Sequence, residues 1–107
     1  MAEYIDIVES VDADDWTVSA VDTNIPNHPE YRFSSPDGGL EIEISPVNGY
    51  DDGNLHEERL EFFVNVYKYR VNDNGDRIEE DGLIFGRKKS SVGDAVSLLR
   101  QKLGEYI

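Results

Sequence analysis

The sequence has no cysteine, one tryptophan and few basic residues, with 10 Lys and Arg against 23 Asp and Glu among 107 residues. The absence of cysteine excludes disulfide bonds, a thiol nucleophile, and metal or iron–sulfur centres with cysteine ligands. The sequence also lacks an apolar run near the roughly 18 residues of a membrane span. Its N-terminus lacks a basic segment followed by an apolar stretch. We therefore expect a cytoplasmic protein with no membrane association and no cofactor.

The formal net charge of −13 is large for a small domain, because a magnitude of about 2 to 8 is enough for solubility. Self-repulsion opposes the compact state in dilute buffer, whereas at about 1 M salt the screening length falls to about 3 Å. Acidic residues outnumber basic ones in most segments, and there are only four lysines. This composition resembles that of cytoplasmic proteins from halophilic cells, whose cytoplasm contains salt at molar concentration. An acidic protein of a mesophile is the alternative.

Length and composition predict one domain over residues 1–107, with 38% hydrophobic residues to form a modest core. Apolar residues recur at helical spacing between residues 3 and 11, which predicts a short helix, although Ile5 breaks the pattern and leaves a strand as the alternative. Residues 16–20 alternate between apolar and polar and predict a strand. The segment 24–29 contains two prolines and predicts a loop.

Two hairpins are predicted in the rest of the chain. In the first, residues 31–35 and 40–45 flank the turn 36–39, and Phe33 is expected opposite Ile42. Residues 46–58 show no periodicity and are expected to form a long acidic loop. In the second hairpin, a two-residue turn at Asn74–Gly75 pairs the strands on either side. That register is expected to place Val66 opposite Leu83, Arg70 opposite Glu79, Lys68 opposite Asp81, Tyr67 opposite Gly82 and Phe63 opposite Gly86.

The C-terminal segment predicts a helix that begins after Ser91, whose side chain caps it, with Asp94 in the first turn. Its apolar stripe consists of Val92, Ala95, Val96, Leu99, Leu103 and Tyr106. The predicted fold is therefore α+β: an antiparallel sheet of four to five mostly sequential strands, with the C-terminal helix packed on one face. If residues 3–11 are helical and not a strand, the fold also contains a short N-terminal helix.

The second hairpin is predicted to be apolar on both faces, although one helix covers only one of them. The residues expected on the uncovered face are Phe63, Tyr67, Tyr69, Ile78 and Ile84. A contact between two copies of the chain would bury them, so the sequence favours a homodimeric, non-catalytic protein-interaction module. An ordinary core beneath a helix is the alternative explanation.

A local basic segment suggests a different function. Residues 87–102 contain five basic residues and one acidic residue, and therefore carry a local charge of +4. Arg87, Lys88, Lys89 and the helix start at Ser91 could bind a phosphate or carboxylate through charge and free backbone donors. The alternative is that these basic residues offset neighbouring acidic residues.

No pattern in the sequence supports catalysis. His28 and His56 lie in predicted loops, and neither has a second histidine at metal-ligand spacing. Carboxylate pairs are too frequent to single out an acid–base pair. Nucleic acid is an improbable partner because the negative charge repels polyphosphate. A less favoured alternative is an acidic mimic of nucleic acid that occupies a basic partner.

Overall fold

The chain folds into an antiparallel sheet curled into a half-barrel, with a short helix at the N-terminal end and a longer one at the C-terminal end. A computed structural model describes residues 3–107, with the backbone alone for residues 79–81. This architecture confirms the predicted α+β class. The elements in chain order are α1 (Tyr4–Glu9), β1 (Thr17–Val21), β2 (Glu30–Ser34), β3 (Leu40–Val47), β4 (Tyr50–Asp51), β5 (Asn54–Leu55), a 3-10 turn (Glu57–Arg59), β6 (Glu61–Val71), β7 (Arg77–Lys89) and α2 (Val92–Tyr106).

The main sheet has the strand order β1-β2-β3-β6-β7, and each neighbouring pair is antiparallel. Strands β4 and β5 form a separate small hairpin between β3 and β6. Within residues 46–58, where a loop is expected, β3 continues to Val47 and this small hairpin and the 3-10 turn follow. In this strand order, β1 and β7 are the two edges of the main sheet.

The core lies between the sheet and α2, on what we call the inner face of the sheet. Alternate residues of the central strands, such as Ile42 in β3 and Val64 and Val66 in β6, are fully buried there against helix residues such as Leu99. Their neighbours in the strands point to the opposite side, which we call the outer face. The outer face carries Glu41 and Glu43 of β3 and Phe63, Asn65, Tyr67 and Tyr69 of β6.

Helix α2 begins and packs as the sequence predicts. The Ser91 hydroxyl oxygen accepts a hydrogen bond from the Asp94 backbone N–H at 3.2 Å, which caps the first turn. Four residues of the predicted stripe are buried, whereas Tyr106 is exposed. The buried residues are Ala95, Val96, Leu99 and Leu103. This stripe fixes the helix across strands β3, β6 and β7.

The β2–β3 hairpin has the predicted register, with Phe33 opposite Ile42. In its turn the carboxylate of Asp37 accepts hydrogen bonds from the Gly39 N–H at 2.9 Å and the Ser35 hydroxyl at 2.7 Å. These bonds hold the pKa of Asp37 below its usual value, with the Gly39 bond as the largest cause. Gly38 has a φ of 78°, in the left-handed region that favours glycine.

The β6–β7 hairpin differs from the prediction at its turn. The strands are joined by a five-residue loop, 72–76, and not by a two-residue turn at Asn74–Gly75. Gly75 alone in this loop has a positive φ, of 85°. Next to the loop, Arg70 lies opposite Glu79 as predicted.

Further along the hairpin the predicted register is wrong. Val66 lies opposite Phe85 and not opposite Leu83, because extra residues in β7 shift the pairing by two positions. Gly82 has a φ of 81°, a conformation that suits the extra residue of a β-bulge. The predicted contacts between rings and glycines are consequently wrong too: Tyr67 lies opposite Leu83, and Phe63 lies opposite Lys88.

Among the described residues, no helix is long and apolar enough to cross a membrane.

Candidate functional site

The outer face of β3 and β6 carries a hydrogen-bonded layer of aromatic and acidic side chains. One carboxylate oxygen of Glu43 accepts hydrogen bonds from the Tyr67 hydroxyl at 2.9 Å and the Asn65 amide at 2.8 Å. Glu41 is buried, and its carboxylate accepts a longer hydrogen bond from the Tyr69 hydroxyl at 3.4 Å. The strands place these partners on adjacent positions of one face, so the polar ends of both tyrosines are bonded within the sheet.

This environment changes the titration of Tyr67. Its pKa is raised to about 12, chiefly by burial and further by the hydrogen bond to Glu43 and the negative charge of that carboxylate. Both effects disfavour the phenolate, because the charged form would lose hydration and stand beside a carboxylate. Tyr67 is therefore a neutral hydrogen-bond donor at ordinary pH, which suits a positioning role and not that of a general base.

Arg77 covers the tyrosine nearest the hairpin loop. Its guanidinium lies 3.9 Å from the centre of the Tyr69 ring, within the range of a cation–π interaction. The same group donates to the Gly38 carbonyl at 3.0 Å and lies 3.5 Å from the Glu41 carboxylate. Arg77 thereby ties the far end of the β6–β7 hairpin to the β2–β3 turn.

The five residues predicted as an interface do not form a single face. Tyr67 and Tyr69 are half-buried on the outer face, and Phe63, 37% exposed, lies on the same face of β6. Ile78 is 56% exposed in the irregular part of β7 near the loop. Ile84 is 49% exposed but lines a cavity that also includes a residue of α2.

Leu83 is the exposed residue that the sequence analysis missed. It is 55% exposed and lies opposite Tyr67 on the outer face. The predicted register had placed it opposite Val66, on the inner face. The signal that could have located it is Gly82, because an isolated glycine inside a strand pattern often marks a bulge that changes the register.

An open cavity of about 630 Å³ lies between the β2–β3 turn, the hairpin β6–β7 and the end of α2. Its walls are mainly aliphatic and aromatic, with Asp37 and Lys68 as the charged members. The lining residues are Asp37, Gly39, Leu40, Lys68, Tyr69, Val71, Ile84 and Tyr106. Its shape leaves Ile84 and Tyr106 exposed to solvent.

The predicted anion-binding residues are separated by the alternation of β7. Arg87 and Lys89 lie opposite inner-face residues of β6, whereas Lys88 lies opposite Phe63 on the outer face. Lys88 forms an ion pair with Glu61 at 3.6 Å. The Ser91 hydroxyl oxygen accepts a hydrogen bond from the Asp94 N–H, so this backbone donor of the helix start is not free for an anion.

On the inner face, two basic side chains lie near the ring of Phe85. The ammonium of Lys102 lies 3.8 Å from the centre of the Phe85 ring, and the guanidinium of Arg87 lies 5.8 Å from the same centre. Glu105 pairs with Lys102 at 3.1 Å and offsets part of this charge. Both basic side chains thus lie near one ring, and Lys102 was not among the predicted site residues.

The two histidines make local contacts in the structure. His28 lies 2.8 Å from the Pro26 carbonyl oxygen through Nδ1, and its ring packs on Tyr4. His56 lies 3.4 Å from the exposed carboxylate of Glu58. No group of three or more acidic or histidine side chains among the described residues is arranged to hold a metal ion. Both histidines have local structural contacts.

Comparison of the chain with protein-family models, with curated proteins and with solved structures finds no match.

Proposed function

We propose that this chain is a non-catalytic protein-interaction module that binds its partner through the hairpin β6–β7. The observation that carries the proposal is the set of large apolar side chains left exposed on this one hairpin. We call this set the ribbon surface; it consists of Phe63, Ile78, Leu83 and Ile84, which are 37% to 56% exposed.

The position of the ribbon surface supports a binding role. Single exposed apolar residues are ordinary on protein surfaces. Here four lie on one hairpin, although not on one face of it, and this concentration supports a contact area. Burial of apolar surface contributes roughly 25 cal/mol per Å² before the costs of association. Here three of the four residues belong to β7, an edge strand with backbone groups available on its outer side.

The half-buried tyrosines Tyr67 and Tyr69 lie beside this surface, and hydrogen bonds hold their side chains in place. Tyr67 lies opposite Leu83, and its hydroxyl is held by Glu43. Aromatic side chains with fixed polar ends offer contact area at little entropic cost. We therefore keep Tyr67 and Tyr69 in the proposed interface as supporting residues beside the ribbon surface.

Site-specific photo-crosslinking in the cells that make the protein tests the proposal. A benzophenone side chain at position 83 is expected to form protein adducts. The same probe at position 50 serves as the control, because Tyr50 is 44% exposed but lies in the separate β4–β5 hairpin. Adducts at both positions alike, or at neither, would overturn the proposal.

A second substitution shows whether the adduct depends on the ribbon surface. Ile84→Asp should remove most of the adduct formed at position 83, because it places a charge in the contact. Val18→Asp is the matched control: Val18 is 45% exposed on β1, at the other edge of the sheet. The proposal requires that this control keep the adduct, and equal loss with both substitutions would count against it.

The other functions expected from the sequence stay predictions. For anion binding, Arg87 and Lys102 are the candidate pair, because both lie near the Phe85 ring, and a phosphate titration followed by amide shifts at residues 85–94 tests it. For the nucleic-acid mimic, competition between this protein and DNA for a basic partner is the test. Adaptation to salt and a cytoplasmic location also remain predictions.

A further inference from the structure

The charges of β7 follow a mirrored order about the middle of the strand. Residues 79–81 are acidic, residues 83–85 are apolar and residues 87–89 are basic, with Gly82 and Gly86 between the blocks. Ile84 stands at the centre of this eleven-residue segment. A strand with this order is complementary in charge to a copy of itself that runs in the opposite direction.

We infer that the partner of the ribbon surface is a second copy of this chain, bound by antiparallel pairing of two β7 strands about a two-fold axis near Ile84. The inference rests on the proposed function, because it names the partner of the same surface. In this register residues 79–81 of each copy lie beside residues 87–89 of the other. The acidic and basic blocks therefore meet at both ends of the contact, as the symmetry of an isologous dimer requires.

The position of β7 in the sheet allows this pairing. β7 is the last strand of the sheet order and is paired only with β6. It is the longest strand, with 13 residues, so the eleven-residue segment fits within it. Two copies joined along β7 would form one continuous antiparallel sheet, a common mode of strand addition between chains.

Two of the three pairs of oppositely charged positions in this register lie on matching faces of β7. Positions 80 and 88 both lie opposite outer-face residues of β6, and positions 79 and 89 both lie opposite inner-face residues. Rotation about an axis perpendicular to the sheet keeps each face on its own side. Each of these acidic positions thus meets its basic counterpart on the same face of the joined sheet.

The apolar block supplies the centre of the contact. Leu83 and Ile84 are 55% and 49% exposed in the single chain, and both would lie next to the axis. Interfaces place apolar groups at the centre and charged groups at the rim, where they select the partner and its orientation. The order of residues in β7 follows this arrangement.

Charge complementarity also separates a second copy from other strands. Bulges weaken pairing of this edge with any strand, since they twist the edge and interrupt its hydrogen-bonding groups, so charge and the apolar centre must favour the partner. A second copy brings the same mirrored charges in the required order. Lys88 is already paired with Glu61, but this pair is exposed and contributes little.

A charge-exchange experiment tests the inference. One variant carries Glu79→Lys, Glu80→Lys and Asp81→Lys, and a second carries Arg87→Glu, Lys88→Glu and Lys89→Glu. Each variant presents like charges at both ends of the contact, so its self-association, measured by sedimentation equilibrium, should be about 100-fold weaker than that of the unchanged chain. An equal mixture of the two should form a heterodimer.

The matched control combines all six substitutions in one chain. This variant keeps the net charge of −13 and restores the mirrored order with the blocks exchanged, so it should dimerise like the unchanged chain. Circular dichroism checks that each variant folds, and heterodimer formation shows independently that both components are folded.

Three outcomes would overturn the inference: a monomeric unchanged chain at all concentrations in about 0.1 to 1 M KCl, undiminished dimerisation of the two variants, or no heterodimer in the mixture. The failure of the inference differs from that of the proposed function. If the pure chain is monomeric but the probe at position 83 forms adducts with a different protein, the inference is wrong and the proposed function is supported. If position 83 forms no adducts, the proposed function itself is wrong.

Discussion

Tyr67 illustrates how single residues of the outer face combine a large ring with satisfied polar groups. Its hydroxyl bonds to Glu43, which also binds Asn65, so that the carboxylate holds two donors at once. The sequence showed the aromatic character of this position but not its hydrogen bonds, because the partners are more than 20 residues apart along the chain. Such pairings depend on the register of β3 and β6, which neither segment determines alone.

Removal of the Tyr67 hydroxyl should lower the stability of the fold. Tyr67→Phe is expected to lower the free energy of unfolding by about 1 kcal/mol at pH 7, the usual net contribution of one hydrogen bond. Urea denaturation measures the change. Tyr106→Phe is the control, since Tyr106 is exposed at the end of α2, and it should change the stability by less than about 0.5 kcal/mol.

The same residue predicts a pH dependence. The pKa of Tyr67 is about 12 in the folded protein and about 10 in the unfolded chain. A raised pKa in the folded state stabilises the fold fully below about pH 10, and this contribution is lost as the pH rises towards 12. The loss of stability between pH 10 and 12 should be smaller in Tyr67→Phe than in the unchanged chain. Equal losses in both proteins would contradict the assignment.

Individual elements show which structural features the sequence could predict. Helix α2 and the β2–β3 hairpin depend on local signals, a capping serine in one case and a turn with alternating residues in the other, and both were predicted correctly. The register of β6 and β7 was predicted wrongly, because the irregular pairing around Gly82 interrupts the regular alternation on which the prediction relied. That one irregularity moved Leu83 to the outer face and with it changed the candidate site.

Two substitutions in α2 should have opposite effects on stability. Ser91→Ala removes the side-chain acceptor of the cap and should lower the free energy of unfolding by about 1 kcal/mol. Gly104→Ala should raise it by up to about 1 kcal/mol, because a methyl group there meets nothing within 4 Å and alanine favours the helix. Thermal unfolding of both variants measures the changes.

Ser97→Ala serves as the control for the cap, since Ser97 is exposed in the middle of the same helix. If Ser91→Ala were no more destabilising than Ser97→Ala, the capping role would be refuted. A destabilising Gly104→Ala would show that the end of α2 is constrained in a way that its open surroundings do not indicate.

At the scale of the whole molecule, the main feature is the excess of negative charge. All eight acidic residues among positions 1–31 precede the first basic residue, Arg32. Several ion pairs in the described structure have an exposed partner, and such pairs contribute little to stability. The fold itself could be predicted from hydrophobic patterning, whereas the consequence of the charge depends on the solvent.

The stability of the chain should therefore increase with salt. Between about 10 mM and 1 M KCl the screening length falls from about 30 Å to about 3 Å, which weakens the repulsion among surplus carboxylates. The urea concentration at the midpoint of unfolding should rise steadily over this range. Stability that does not change with KCl would contradict the interpretation of the charge as an adaptation to salt.

A variant with Asp12→Asn, Asp14→Asn and Asp15→Asn provides the control. These three residues are exposed, and asparagine keeps the acceptor by which Asp12 binds the Asp14 N–H. The net charge becomes −10, from −13 plus three neutralised carboxylates. The midpoint of this variant should depend less on KCl than that of the unchanged chain.

The two edges of the sheet are unequal, since β1 has five residues and β7 has 13. A two-fold contact along β7 uses that edge in both copies and leaves only the short β1 at each end of the joined sheet. Growth into filaments would also require pairing along β1, which has only five residues with which to pair. The unequal edges thus favour a closed assembly that stops at two copies over an open-ended polymer.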